Sequence, residues 1–206
     1  GTACLLVLLL LLGRSSGGLE FGRFAAEPGL AGVLFVLALV GFGTKAGFMP
    51  LHVWLPEAHP AAPSHVSAVM SGVMIKTGIY GLLRTVTFLP DLPSGCGWTL
   101  LAVGVVSGIG GVLFALAQHD IKSLLAYHSV ENIGIIGIGA GVGLLGVSYD
   151  IPAMAFLGFA GALLHVLNHA LFKSLLVLGA GAVQHGTGTR HIDQLGGLLK
   201  TMPITG

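Results

Sequence analysis

Four residues of one apolar stretch, His165, Asn168, His169 and Lys173, stand at i, i+3, i+4 and i+8. Those intervals put them on one helical face. In a helix otherwise built of Leu, Val, Ala and Phe, such a stripe must look at protein or water rather than hydrocarbon. The same residue types recur in other apolar runs. Lys45 interrupts GFGTKAGF, His65 and Lys76 stand eleven residues apart, and His128, Glu131 and Asn132 form an i, i+3, i+4 set. Eleven residues is close to three turns, so the spacing predicts that His65 and Lys76 share a face. An ammonium taken out of water parts with its proton more readily, and histidine exchanges protons near neutral pH. Lys, His and Glu on adjoining helices are therefore the material of a proton relay.

Each of these groups also has a plainer reading at this level. Lys45, near a helix end, can snorkel to the interface, and His65 can cap a helix entry. His128 and Glu131 can lie at an interface just past the polar turn QHDIK, and the 165–173 stripe can be hydrogen-bond glue between helices. Lys76, fifteen residues into its run, is too deep for easy snorkelling. Metal binding is a weaker reading. HxxxH at 165–169 has no acidic or Cys ligand beside it, and the spacing of His52, Glu57, His59 and His65 matches no zinc signature. GVGLLG at 141–146 has the letters of GxGxxG, but no strand precedes it, so helix packing accounts for its glycines.

The elements that must hold these residues follow from composition. The chain has 206 residues, 54% hydrophobic and 8% charged, where a soluble domain carries about 25% charged residues. That deficit specifies an all-α polytopic transmembrane helix bundle. Its 34 glycines suit helices that associate in lipid by close backbone approach. Spans are expected at about 29–49, 61–83, 97–117, 123–147 and 152–183, all in a single membrane domain over 1–206. A partial helix at 3–12 and a polar connector at 14–27 precede them, the former short of the ~20 residues a crossing needs. The last run would be about 48 Å long as one helix, so it must tilt, kink or project from an apolar layer of ~30 Å. Pro50, Pro56, Pro60 and Pro63 follow Lys45 closely, and the second run is expected to end at Pro50. A helix interrupted there suits an ion path, where protein or water satisfies the freed carbonyls.

Other classes are disfavoured. A net charge of +1 without a basic block offers nucleic acid no footprint. Cys4 and Cys96 are too few for an iron–sulfur cluster, which takes four ligands, so no cofactor, metal or redox centre is expected within the chain. The start, GTACLLVLLLLLGR, resembles a signal-peptide core but lacks Met and a basic flank. With the abrupt ending TMPITG, this suggests a fragment of a larger chain. Lys and Arg divide evenly between alternate connectors (Arg14, Arg23 and Arg84 against Lys122, Arg190 and Lys200), so charge asymmetry sets no orientation.

Three blocks in order carry a resemblance. They are GTKAGFMPLHVWLPEAHPAAPSHVSAVMSGVMIKTGIYGLLR, HDIKSLLAYHSVENIGIIGIG and HVLNHALFKSLLVLGAGAVQHGTGTRHIDQLGGLLKTMP. They resemble the antiporter-like proton-translocating subunits of respiratory complex I, Mrp antiporters and membrane-bound hydrogenases. AYHSVENIGII with EAHPAAPSHVSA looks most like the hydrogenase-4 and formate hydrogenlyase branch of that family. The resemblance implies that Lys45 is the lysine of a discontinuous helix and Lys76 the central lysine. Lys173, with His165 and His169, would continue the path. It places a glutamate partner for Lys45, and a further Lys or Glu, outside this stretch. His128 and Glu131 stand where complex I subunits carry small polar residues, which favours the hydrogenase branch. The resemblance further implies an inner (plasma) membrane location and neighbouring membrane subunits. Peripheral iron–sulfur or hydrogenase-type subunits would carry the redox chemistry. The alternative it leaves is an Mrp-type cation/proton antiporter subunit.

Overall fold

The computed structural model describes residues 1–24, 27, 29–90, 92–203 and 205. Residues 25, 26 and 28 in or beside the expected connector, residue 91 of the following loop, and the terminal 204 and 206 lie outside that set, as does the side chain of Arg23. The described residues form helices and turns without strands, apart from one isolated bridge between Asp120 and His191. Helix α1 covers Thr2–Ser16 and α2 covers Ala31–Ala46. Both are apolar but shorter than a full crossing.

Helix α2 stops at Gly47, not at Pro50 as the prolines suggested. Gly47 takes a left-handed φ of 92°, which glycine adopts without a Cβ penalty. Its N–H and that of Phe48 then both reach the Gly43 carbonyl, at 2.9 and 3.1 Å. Pro50 follows across a cis peptide from Met49. A short helix, α3 (Trp54–Ala61), resumes after the break. Backbone freed inside a membrane must find partners in the protein or in water, and here it finds protein. The Trp54 indole donates to the Thr44 carbonyl at 2.7 Å. The Met49 N–H donates to the Ser107 hydroxyl at 2.9 Å. The α2–α3 pair is thus a discontinuous helix.

The next crossing, Ser64–Val86, is continuous but not uniform. Helix α4 (Ser64–Val69) passes through one π-helical turn, Met70–Met74, into α5 (Ile75–Val86). Three long apolar helices follow: α6 (Ser94–Leu116), α7 (Ile121–Ser148) and α8 (Pro152–Thr187), with a short α9 at Leu198–Thr201. Asp120 caps α7, accepting from the N–H groups of Lys122 and Ser123 at 2.9 and 3.1 Å. Helix α8 is unbroken over 36 residues, about 54 Å at 1.5 Å per residue, longer than an apolar layer of ~30 Å.

Helix α7 is the spine, packed against α6 and α8. Glycine makes that possible: a Cβ on Gly134 would stand 2.6 Å from the Gly104 carbonyl and 2.8 Å from the Gly108 Cα. In GVGLLG, Gly141 lies against the Leu101 backbone, and Gly143 and Gly146 lie against Phe159 and Ala155 of α8. At the far end of α7, the Trp98 indole donates to the Tyr149 hydroxyl at 3.1 Å. At its start, His119 pairs with Asp193 at 2.8 Å. These polar ends are about 42 Å apart along a 28-residue helix, close to the ~40–45 Å of a bilayer with its headgroups.

Candidate functional site

The buried polar chemistry gathers where α5, α7 and α8 meet. Lys76 is 8% exposed and sits midway along its crossing. Its ammonium donates to the carbonyl of Ser71, five residues back and inside the π turn. The widened turn thus supplies a partner from Lys76's own helix. The Ser71 hydroxyl bonds that of Ser129 on α7 at 2.8 Å. Because Ser129 donates to the Leu125 carbonyl, Ser71 is the donor of that pair. Gly72, in the same turn, lets α8 come close: a Cβ there would strike the Ser174 hydroxyl and lie 3.4 Å from the Ala170 carbonyl.

On α8, Lys173 and His169 are 1% and 0% exposed, and His165 is half-buried. The rings of His165 and His169 lie nearly parallel, 6.2 Å apart between centroids, and Phe172 flanks His169 at 5.4 Å. Neither nitrogen of His169 has a hydrogen-bond partner among the described residues. Buried polar atoms rarely stay unpaired, so this ring stands out from its surroundings. Electrostatic interactions tie His169 to Lys76, Lys173 and His165, and tie Lys173 to Glu131 and Lys76. The α8 stripe and Lys76 therefore form one electrostatic unit, with Glu131 as its anion.

Helix α7 adds the connection. The Asn132 amide donates to the His128 carbonyl at 2.7 Å, so its oxygen faces His165 Nε2, at 2.9 Å. A carboxamide oxygen only accepts, so His165 carries its hydrogen on Nε2 and is free to accept on Nδ1 when neutral. His128 Nδ1 and Glu131 Oε2 are 2.5 Å apart. These residues lie about 10 and 15 Å from the start of α7. They thus stand about two and three turns into α7 from QHDIK.

Three expected members stand apart. His65 is exposed, whereas Lys76 is buried. The three-turn count assumed uniform α-helix, and the π turn between them alters the register. Lys45 is exposed in an apolar crevice walled by α1, α2 and α5, beside Thr77, Tyr80 and Arg84. Lys76 looks instead to the α8 side of α5, so one helix separates the two lysines. Asn168 is exposed at the rim of the α8 stripe, and Asn132 serves His165 instead. Ser71 and Ser129 carried no signal in the sequence, since serines are common at helix contacts in membranes. Among the described residues, His, Cys, Asp and Glu form no group of three or more able to hold a metal.

A bundle of long apolar helices with a discontinuous helix and a buried Lys/His set defines an antiporter-like membrane subunit. The family model for the transmembrane region of NADH:quinone oxidoreductase and Mrp antiporter subunits matches residues 3–206, and the chain belongs to that family. It is 50% identical to hydrogenase-4 component B of Escherichia coli (strain K12), covering 100% of this chain and 31% of that protein. It is 42% identical to formate hydrogenlyase subunit 3 of the same organism, covering 99% of this chain and 34% of that protein. It superposes on a chain of the Mrp complex from Dietzia sp. DQ12-45-1b with a TM-score of 0.82 at 28% identity, over 98% of this chain and 36% of that one. The chain thus spans about a third of the length of the relatives it matches.

Proposed function

We propose that this chain forms part of a proton-translocating subunit of a hydrogenase-4, formate hydrogenlyase or complex-I-like respiratory complex in the plasma membrane. Protons pass along a buried relay of Lys76, His165, His169, Lys173, His128 and Glu131, driven by electron transfer in partner subunits. Those partners are neighbouring membrane subunits and peripheral subunits bearing iron–sulfur clusters. The observation that carries this reading is the unit of Lys76, His169 and Lys173, all buried and electrostatically joined across α5 and α8. Buried cations of like sign repel, and a membrane interior penalises each of them. Their retention at one place fits a device in which a change in one charge displaces the next proton. Lys45 and His65 would join the path only through groups beyond those described.

Replacing Lys76 with Met in the full-length subunit tests the reading in vesicles containing the whole complex. Proton pumping is expected to vanish while the subunits still co-purify. Wild-type pumping from an assembled Lys76→Met complex would remove Lys76 from the path. The relatives favour the hydrogenase branch over a cation/proton antiporter, and sodium-dependent, redox-independent proton flux from the same vesicles would reverse that preference.

A further inference from the structure

In the sequence Lys122 counts as a connector charge, yet in the fold it is 5% exposed. Its ammonium donates to the Ala62 carbonyl, just past α3, at 3.0 Å. The last carbonyls of a helix lack partners within it, and Arg190 serves α3 in the same way, donating to the Pro60 carbonyl at 2.7 Å. A carbonyl is neutral, however, and a buried ammonium calls for an anion. Asp120 is already engaged at both oxygens. Its Oδ1 accepts from the N–H groups of Lys122 and Ser123 at 2.9 and 3.1 Å, and its Oδ2 takes the Arg190 guanidinium at 2.5 Å. The other acid at this end, Asp193, pairs with His119 at 2.8 Å. Lys122, Arg190 and Asp120 together therefore leave one positive charge unmatched.

Lys122 also walls a polar cleft of about 370 Å³, together with Pro63, Ser64, Gly181, Gln184 and His185. The cleft lies at the end of the bundle where α7 starts and α8 ends. Gly181 lets α8 close on the start of α4, since a Cβ there would stand 2.4 Å from the Ser64 Cβ. The polar side chains of the lining are an ammonium, a hydroxyl, a carboxamide and an imidazole. All of them can donate a hydrogen bond, and none is a carboxylate. The side chains of Ser64, Gln184 and His185 have no hydrogen-bond partner among the described residues. Lys122 has three N–H bonds, and the Ala62 carbonyl takes one of them. One unmatched cation among uncommitted donors is the recognition chemistry of a phosphate group, for which lysine serves as the point charge.

We propose that this cleft is a phosphate-binding site, filled by the phosphate of an anionic lipid headgroup or by free inorganic phosphate. Lys122 is its cation, and Ser64, Gln184 and His185 are its further donors. A bound phosphate supplies the anion that Lys122 lacks. It also draws together the start of α4, the start of α7 and the end of α8, which meet at the cleft. Because the same ammonium holds the Ala62 carbonyl, the ligand steadies the seat of α3, the second half of the discontinuous helix. The site is independent of the proton-relay reading, since none of its residues belongs to that relay.

The test uses the full-length subunit in its complex, purified in detergent and stripped of loosely held lipid. Radiolabelled phosphatidylglycerol and radiolabelled inorganic phosphate are titrated separately, with chloride holding the ionic strength constant. Saturable binding of at least one probe is expected. Lys122→Gln keeps a donor for the Ala62 carbonyl but removes the charge, and should weaken that binding about tenfold, the worth of one charge-assisted hydrogen bond. Lys122→Arg should bind as the wild type does. Saturation by phosphatidylglycerol but not by inorganic phosphate supports the site with a lipid headgroup as its ligand, and saturation by inorganic phosphate supports it with the free ion. No saturable binding, or equal binding by wild type and Lys122→Gln, would overturn the proposal. Should Lys122→Gln fail to assemble, Ser64→Ala combined with Gln184→Leu removes two donors that hold nothing else among the described residues. Weaker binding by that variant supports the site, and unchanged binding rejects it.

Discussion

Asn132 joins two helices with the two ends of one carboxamide, accepting from His165 and donating to the His128 carbonyl. Asn132→Leu would strip both partners at once. A buried polar group left unsatisfied costs about 1–3 kcal/mol, so the variant should melt earlier in detergent and transfer protons more slowly. Asn132→Asp, which keeps the acceptor for His165, should retain more transfer than the Leu variant. Equal stability of wild type and Asn132→Leu would show that the bridge carries no weight. At this scale the sequence was a good guide to residue types and an incomplete one to their aim. The i, i+4, i+8 spacing of His165, His169 and Lys173 is a property of one regular helix, and their shared burial follows from it. Asn168 obeys the same arithmetic but sits at the edge of the stripe and remains exposed. Lys45 announced itself as a charge in an apolar run. Which crevice it enters depends on how α1 and α5 pack around α2, and no local pattern encodes that.

The π turn at Met70–Met74 decides where the α4–α5 crossing points its polar groups. Counting turns from His65 put it on the face of Lys76, and the extra residue in the turn separates them. A π turn is rarely legible in a sequence, because its stability comes from what it touches. Here it touches Lys76 through the Ser71 carbonyl, Ser129 through the Ser71 hydroxyl, and α8 through Gly72. Deleting Val73, an exposed residue of the turn, should restore plain α-helix and rotate one half of the crossing by about 100° against the other. Helix content by circular dichroism should survive while proton transfer is lost. Undiminished transfer would mean that Lys76 needs no particular heading. A milder change in the same turn, Gly72→Val, presses a side chain against Ser174 and Ala170. Overpacking of this kind costs about 1–3 kcal/mol, to be read as a lower melting temperature of the assembled subunit.

For the molecule as a whole, the fold class was written in the scarcity of charge, because a chain with so few ionisable groups cannot clothe a soluble surface. The seating of α3 was not, since its clamp comes from Arg190, more than a hundred residues away in sequence. Helix α8 shows how one element serves both scales. Its inner face carries His165, His169 and Lys173, and its opposite face carries Leu164, Leu167, Leu171, Leu175 and Leu178, all exposed. An exposed leucine face of this kind suits lipid or an apolar neighbouring helix, and either surrounding rejects charge. Leu171→Arg should therefore cost about 2.5–3.5 kcal/mol in membrane insertion, reducing the subunit recovered in the membrane fraction and its co-purification with partners. Leu171→Ile should be tolerated, because it keeps the apolar surface. Insertion and assembly of the Leu171→Arg variant at wild-type levels would show that this face looks onto water, and the polar stripe could then no longer be regarded as the wet side of α8.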